Sequence, residues 1–97
     1  MSRKRPYRSK MRILADMMRA IQSEGEEGAG PTKILYVANL SHDRLTQYLD
    51  ELLEKELIRE IEPDSNNRVY LLTEKGREFL KEYTRIERFS EAFGIEI

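Results

Sequence analysis

The 97 residues suffice for one domain, and with no cysteine and a single histidine, His42, they exclude a disulfide framework, a thiolate metal site, a cysteine nucleophile and a cluster of imidazole ligands. Hydrophobic residues at 39% and charged residues at 36%, both signs intermixed, describe a folded, heavily charged chain, and no apolar run approaches the roughly 20 residues that a membrane helix needs. The net charge of −1 conceals an uneven distribution: residues 1–12 hold six cations (Arg3, Lys4, Arg5, Arg8, Lys10, Arg12) and no acid, which leaves 11 cations against 18 acids, a net of −7, for residues 13–97. A basic arm on an acidic body suits a polyanion partner.

Residues 1–8 read as a flexible basic arm, interrupted by Pro6. Its basic start lacks the apolar stretch and cleavage site of a secretion signal, so the expected location is cytoplasmic. Ser9 is placed to cap a first helix, in which Met11, Leu14, Met18 and Ile21 recur at helical spacing with Met17 beside them, and Gly25 ends it near Glu24. Gly25–Pro31, with three glycines and a proline, is a loop. A second helix of about two turns follows over residues 32–39, with Ile34, Leu35 and Ala38 inward.

Leu40–Ser41 breaks the pattern. Ser41 is a good N-cap and Asp43 complements the dipole of a third helix over residues 42–55, buried through Leu45, Leu49, Leu52 and Leu53. The period then changes. Residues 58–62 and 68–72 are strand-like runs separated by the turn residues Pro63–Asn67, a β-hairpin. Val69–Leu72 is apolar on both faces, so the outer face needs a cover, either the first helix or a second subunit. Thr73 caps a last helix over residues 74–92, where Phe79, Tyr83, Ile86 and Phe93 form a heptad-like stripe widened by Leu80 and Phe89. The acids are expected to gather on the later turns of the third helix and along the last one.

Helix, helix, helix, hairpin, helix, with a tight Asn39-Leu40-Ser41 turn between the second and third, is a helix-turn-helix with a wing. The fold class is therefore α+β, mostly α. One helix fits the major groove of B-DNA, about 12 Å wide, while the preceding helix crosses the backbone.

Thr32-Lys33-Ile34, Tyr36, Asn39-Leu40-Ser41, Leu45, Tyr48-Leu49, Leu52-Leu53, Leu57-Ile58, Tyr70 and Leu72-Thr73-Glu74-Lys75-Gly76 resemble the small archaeal winged helix-turn-helix family that includes the crenarchaeal ten-kilodalton DNA-binding proteins. The resemblance covers roughly residues 10–90. It implies a domain over residues 9–73, a C-terminal helix over residues 74–97 that makes a homodimer, binding to duplex DNA, and a role as transcription regulator or chromosome-associated protein. Two departures stand out. Family members usually carry glycine after the third helix, where this chain has Glu56; a left-handed cap there costs about 1 kcal/mol. Only 24 residues follow Thr73, so the dimer contact is short or also uses the first helix.

On that fold the third helix presents Ser41, His42, Arg44, Gln47 and Tyr48 to base edges; arginine pairs with guanine and glutamine with adenine in bidentate fashion. Thr32 and Lys33 face a phosphate at the start of the second helix. Asn66, Asn67 and Arg68 occupy the wing, and Arg3, Lys4, Arg5, Arg8 and Lys10 supply sequence-independent phosphate attraction. Phe79, Leu80, Tyr83, Ile86, Phe89 and Phe93 are the expected dimer contact. His42, alone at a helix start, reads as a surface residue rather than a metal ligand.

Catalysis finds no support: there are no paired carboxylates in a recognisable frame, no phosphate loop, no Ser-His-Asp order and no metal spacing, and Gly28-Ala29-Gly30 follows no strand. No cofactor and no small-molecule substrate is indicated. The competing reading is a winged-helix protein-interaction module of transcription machinery, favoured by the acidic body and by Asp43, Asp50, Glu51 and Glu54 on the third helix.

Overall fold

The computed structural model describes residues 8–64 and 67–97, and the side chains of Pro63 and Asp64 are outside that description. Helix α1 spans Lys10–Ser23, and the Ser9 hydroxyl accepts the Arg12 N–H at 3.0 Å. A single 3-10 turn covers Gly25–Glu27 inside the expected loop. Helix α2 is Pro31–Ala38, opened by proline at its first position, where the missing N–H is no loss. Helix α3 is His42–Glu54, strands β1 and β2 are Ile58–Asp64 and Asn67–Leu72, and helix α4 is Glu74–Phe93, ended by left-handed Gly94.

Helix α1 is the spine. Its Met17, Met18 and Ile21 are fully buried and meet Ile34 of α2, Leu52 of α3 and Ile58 of β1 in one core. Met11, expected in the α1 stripe, is instead half exposed, and Ile13 is buried in its stead. The strands run longer than expected: the hairpin pairs Ile58 with Leu72, Arg59 with Leu71, Glu60 with Tyr70 and Ile61 with Val69, then shifts register before pairing Asp64 with Asn67. The irregularity takes in Pro63, which has no N–H to give to a ladder.

Within the chain, α1 and the 3-10 turn both pack against β2. The loop before α2 pairs with the free edge of β2, where Ala29 exchanges both backbone hydrogen bonds with Tyr70, at 3.0 and 2.9 Å. Gly28 makes this possible. Its φ is +78°, and a Cβ there would sit 2.8 Å from the Tyr70 carbonyl oxygen and 3.2 Å from side-chain carbons of Leu71 and Val69. Only glycine allows both that dihedral and that approach.

Glu56 adopts the left-handed cap, with φ +62°. Its carbonyl accepts the Thr73 hydroxyl at 2.7 Å, so the strained residue ties the end of α3 to the start of α4 through backbone alone. Glu56→Gly removes the Cβ penalty and keeps that bond. It is expected to stabilise the fold by about 1 kcal/mol and raise Tm by about 4–8 °C. An unchanged or lower melting temperature in a calorimetric scan would show that the glutamate side chain contributes something that offsets its strain.

The core takes in residues of α4 as well. Leu80 and Tyr83 of α4 are each only 4% exposed and belong to the same core as α1 and β2. Beyond them α4 continues outward with Ile86, Phe89 and Phe93 exposed, and the Ser90 hydroxyl folds the tail back by donating to the Ile95 carbonyl. Among the described residues no helix is long and apolar enough to cross a membrane.

Candidate nucleic-acid interface

The turn between α2 and α3 is built from one left-handed residue and one cap. Asn39 has φ +56° and closes α2, the Leu40 N–H returns to the Leu35 carbonyl at 3.0 Å, and the Ser41 hydroxyl accepts the Arg44 N–H at 3.2 Å. Burial of Leu45, Leu49 and Leu52 then turns the opposite face of α3 to solvent. Ser41, His42, Asp43, Arg44 and Gln47 are exposed, and Tyr48 is half-buried at the edge. Arg44 has no ion-pair partner among the described residues. On the exposed face of α2, Thr32 and Lys33 are joined by Tyr36, 75% exposed, and by Val37. Sequence reasoning used Tyr36 as a family marker and missed its exposure. An aromatic at i+3 from Lys33 on a two-turn helix was the available signal.

Several cations assigned to DNA are held by acids of the same chain. Lys33 Nζ lies 3.1 Å from Glu24 Oε2 across the loop. Arg68 Nε lies 3.1 Å from Glu60, and a hydrogen bond to Tyr70 together with the Glu60 charge raises the Arg68 pKa. Lys10 is a correction to the arm: it is the first residue of α1, 2.8 Å from Glu51 Oε2, and the Glu51 carboxylate raises its pKa by hydrogen bond and by charge.

Arg8 is held in the same way. Nη1 lies 2.7 Å from Asp16 Oδ2, and Nη2 donates to the Asn39 carbonyl at 3.1 Å. Arg8 therefore ties the residue before Ser9 to α1 and to the helix-turn-helix turn. Asp16 also faces Arg12 and Arg19, at 3.6 and 3.9 Å. Arg3, Lys4, Arg5 and Asn66 lie outside the described residues; Asn67 and Arg68 are exposed on β2.

The expected dimer row divides in two. Leu80 and Tyr83 are consumed by the monomer core and do not present a surface, because α4 lies against α1 through them: Arg19 of α1 bonds Glu87 at 2.7 Å and Thr84 at 3.0 Å and lies over the Tyr83 ring. That Glu87 bond raises the Arg19 pKa. Phe79 is half-buried and Ile86, Phe89 and Phe93 remain exposed; Phe79 and Ile86 line an apolar groove of about 390 Å³ that Met11 and Leu57 complete.

Three helices, a capped turn, a two-stranded wing and an outward polar helix face define a winged helix-turn-helix fold. The chain belongs to the winged helix-turn-helix family, whose model matches residues 7–91. Its fold is similar to that of Sso10a-2, a DNA-binding protein from Sulfolobus solfataricus, with a TM-score of 0.74, 23% identity, and coverage of 89% of this chain and 85% of that one. This agrees with the small archaeal winged-helix resemblance of the sequence. MepR, a transcription regulator of the Staphylococcus aureus multidrug efflux pump MepA, is similar at a TM-score of 0.74 and 16% identity, covering 84% of this chain and 60% of MepR. The PcaV transcriptional regulator from Streptomyces coelicolor is similar at a TM-score of 0.71 and 18% identity, covering 88% of this chain and 60% of PcaV. These likenesses establish the fold. No curated protein sequence matches the chain significantly.

Proposed function

We propose that this chain binds duplex DNA as a dimeric transcription regulator or chromosome-associated protein. In this reading α3 enters the major groove, the wing and the residues before Ser9 meet the backbone or minor groove, and the C-terminal helix provides the dimer contact. The observation that carries it is the outward face of α3, where Ser41, His42, Arg44 and Gln47 stand exposed on a helix held from behind by Leu45, Leu49 and Leu52. Arg44 and Gln47, three residues apart, share one side of the first two turns, the end that reads bases in such folds. Thr32, Lys33 and Tyr48 flank it, and Asn66, Asn67 and Arg68 form the wing contact. The fold relatives Sso10a-2, a DNA-binding protein, and MepR and PcaV, transcription regulators, support the same reading.

The dimer rests on Phe79, Ile86, Phe89 and Phe93, a row that an isolated chain leaves in water and that a second α4 covers. A two-fold that sets both α3 helices about 34 Å apart matches successive major grooves. By this reading residues 1–8 are an arm, residues 9–73 the winged domain and residues 74–97 the dimer segment, with Arg8 acting as the mooring of the arm.

The paired state of Lys10, Lys33 and Arg68 favours a second reading, a protein-interaction module that presents Tyr36 and Val37. Titration of labelled duplex at low and physiological salt separates the two. Micromolar or tighter binding at physiological salt is expected, with the affinity falling linearly in log salt by about 0.9 per phosphate contact. Removal of residues 2–7 should weaken binding to every sequence and lower that slope, because Arg3, Lys4 and Arg5 go together. No binding at either salt leaves the interaction module standing.

A further inference from the structure

Four of the five cations of α4 share one side of the helix. Arg77, Lys81, Arg85 and Arg88 follow one another at steps of four, four and three residues. Helix α1 lies alongside and adds Arg19, which is itself paired with Glu87. Together they line a cleft of about 410 Å³, floored by Leu80, with five cations and no acid among its lining residues. Lys81 and Arg88 have no ion-pair partner among the described residues, Arg77 reaches only the Leu72 carbonyl at 3.4 Å, and Arg85 is 3.4 Å from Glu82. Arg77 also lines an adjoining cleft of about 390 Å³ against the hairpin, where Arg59 adds a cation and Glu26 is the single acid.

Like charges at i and i+4 repel, and this row lies on a body of net charge −7 whose other cations mostly find acids. Such runs of like charge concentrate at functional sites. The length of the row decides the partner. From Arg77 to Arg88 the helix rises about 17 Å, the axial span of about five phosphates on one strand of B-DNA. A compact anion meets one or two of these side chains, and the described residues include no buried polar group that orients such a ligand. An extended polyanion meets them all.

We propose that the α1–α4 cleft is a second, sequence-independent surface for the sugar–phosphate backbone of duplex DNA. No residue of α2 or α3 lines it or the adjoining cleft, so it is a surface apart from the α3 face. It goes beyond the α3 reading and does not require it.

The test compares the full chain with Lys81→Gln/Arg85→Gln/Arg88→Gln and with Lys81→Gln/Arg88→Gln, using a labelled random-sequence duplex of about 20 bp over a range of salt. All three side chains are exposed, and removing mutual repulsion should leave Tm unchanged or higher. The triple variant is expected to bind at least tenfold more weakly at about 0.1 M salt, with the salt slope reduced by about 2–3. The double variant should fall between. An Arg44→Ala/Gln47→Ala chain should keep the slope, which separates this surface from α3. An unaltered slope and affinity in the triple variant overturns the proposal. So does a change confined to sedimentation behaviour with duplex affinity intact, since that assigns the row to the acids of a second copy.

Discussion

Gly76→Ala is expected to lower stability by about 2 kcal/mol and Tm by about 10 °C, although helix propensity alone predicts a gain of about 1 kcal/mol. The sign is decided by a contact. Gly76 is buried in the first turn of α4, and a Cβ there would run into the Leu57 carbonyl, well inside van der Waals distance of its oxygen and 3.1 Å from its carbon. That carbonyl is already the acceptor of the Thr73 N–H at 3.1 Å. Thr73 in turn donates to the Glu56 carbonyl and accepts the Gly76 N–H, at 2.7 and 3.0 Å. The obstacle is thus backbone held by three hydrogen bonds, which cannot rotate away as a side chain would, and overpacking of this kind costs about 3 kcal/mol. Gly25→Ala, with φ +63° and nothing within 4 Å of its Cβ, is the control and should cost about 1 kcal/mol from its dihedral alone. A Gly76→Ala chain that melts at or above the parent temperature would show that α4 slides away from Leu57 without penalty.

The larger functional effect is expected on α3. Arg44→Ala/Gln47→Ala should weaken binding to a preferred duplex about 100-fold and flatten the difference between preferred and shuffled sequences, since each bidentate base contact carries about 1–3 kcal/mol of discrimination. Thermal stability should change little, because both side chains are exposed and only the Arg44 backbone takes part in the Ser41 cap. Fluorescence anisotropy with the two duplexes reads both quantities. Equal weakening on both sequences would make these residues phosphate contacts. Unchanged affinity would move the interface elsewhere, with Tyr36 and Lys33 the next residues to substitute.

The two surfaces differ in how far they were readable beforehand. The α3 face follows from its own helix: once Leu45, Leu49 and Leu52 are the buried stripe, Arg44 and Gln47 must point outward. The cation row on α4 obeys the same geometry, yet the overall acid count along that helix hid it. A single helix has two flanks beside its buried stripe, and only the position of α1 against Leu80 and Tyr83 shows that one flank carries Arg77, Lys81, Arg85 and Arg88 while Phe79 and Ile86 stand on the other. The dimer row was over-read for a related reason. Heptad spacing places Phe79, Tyr83 and Ile86 on one stripe, but spacing alone does not divide that stripe between the chain's own core and a partner.

Sequence alone determined the order of the elements, the caps at Ser9, Ser41 and Thr73, the break at Asn39 and the buried leucines of α3. Each of these depends on residues within about four positions of one another, through helical periodicity, side chain-to-backbone capping and turn chemistry. Tertiary structure decided what those elements do with their charges and surfaces. Arg8 meets Asn39, Lys10 meets Glu51, Lys33 meets Glu24, Ala29 pairs with Tyr70, and Gly76 meets Leu57. These partners stand 9 to 41 residues apart in the chain, and only the tertiary packing of the elements brings them within reach. A local pattern carries no term for such distances, so the free cations and the spent ones looked alike until the fold was in place.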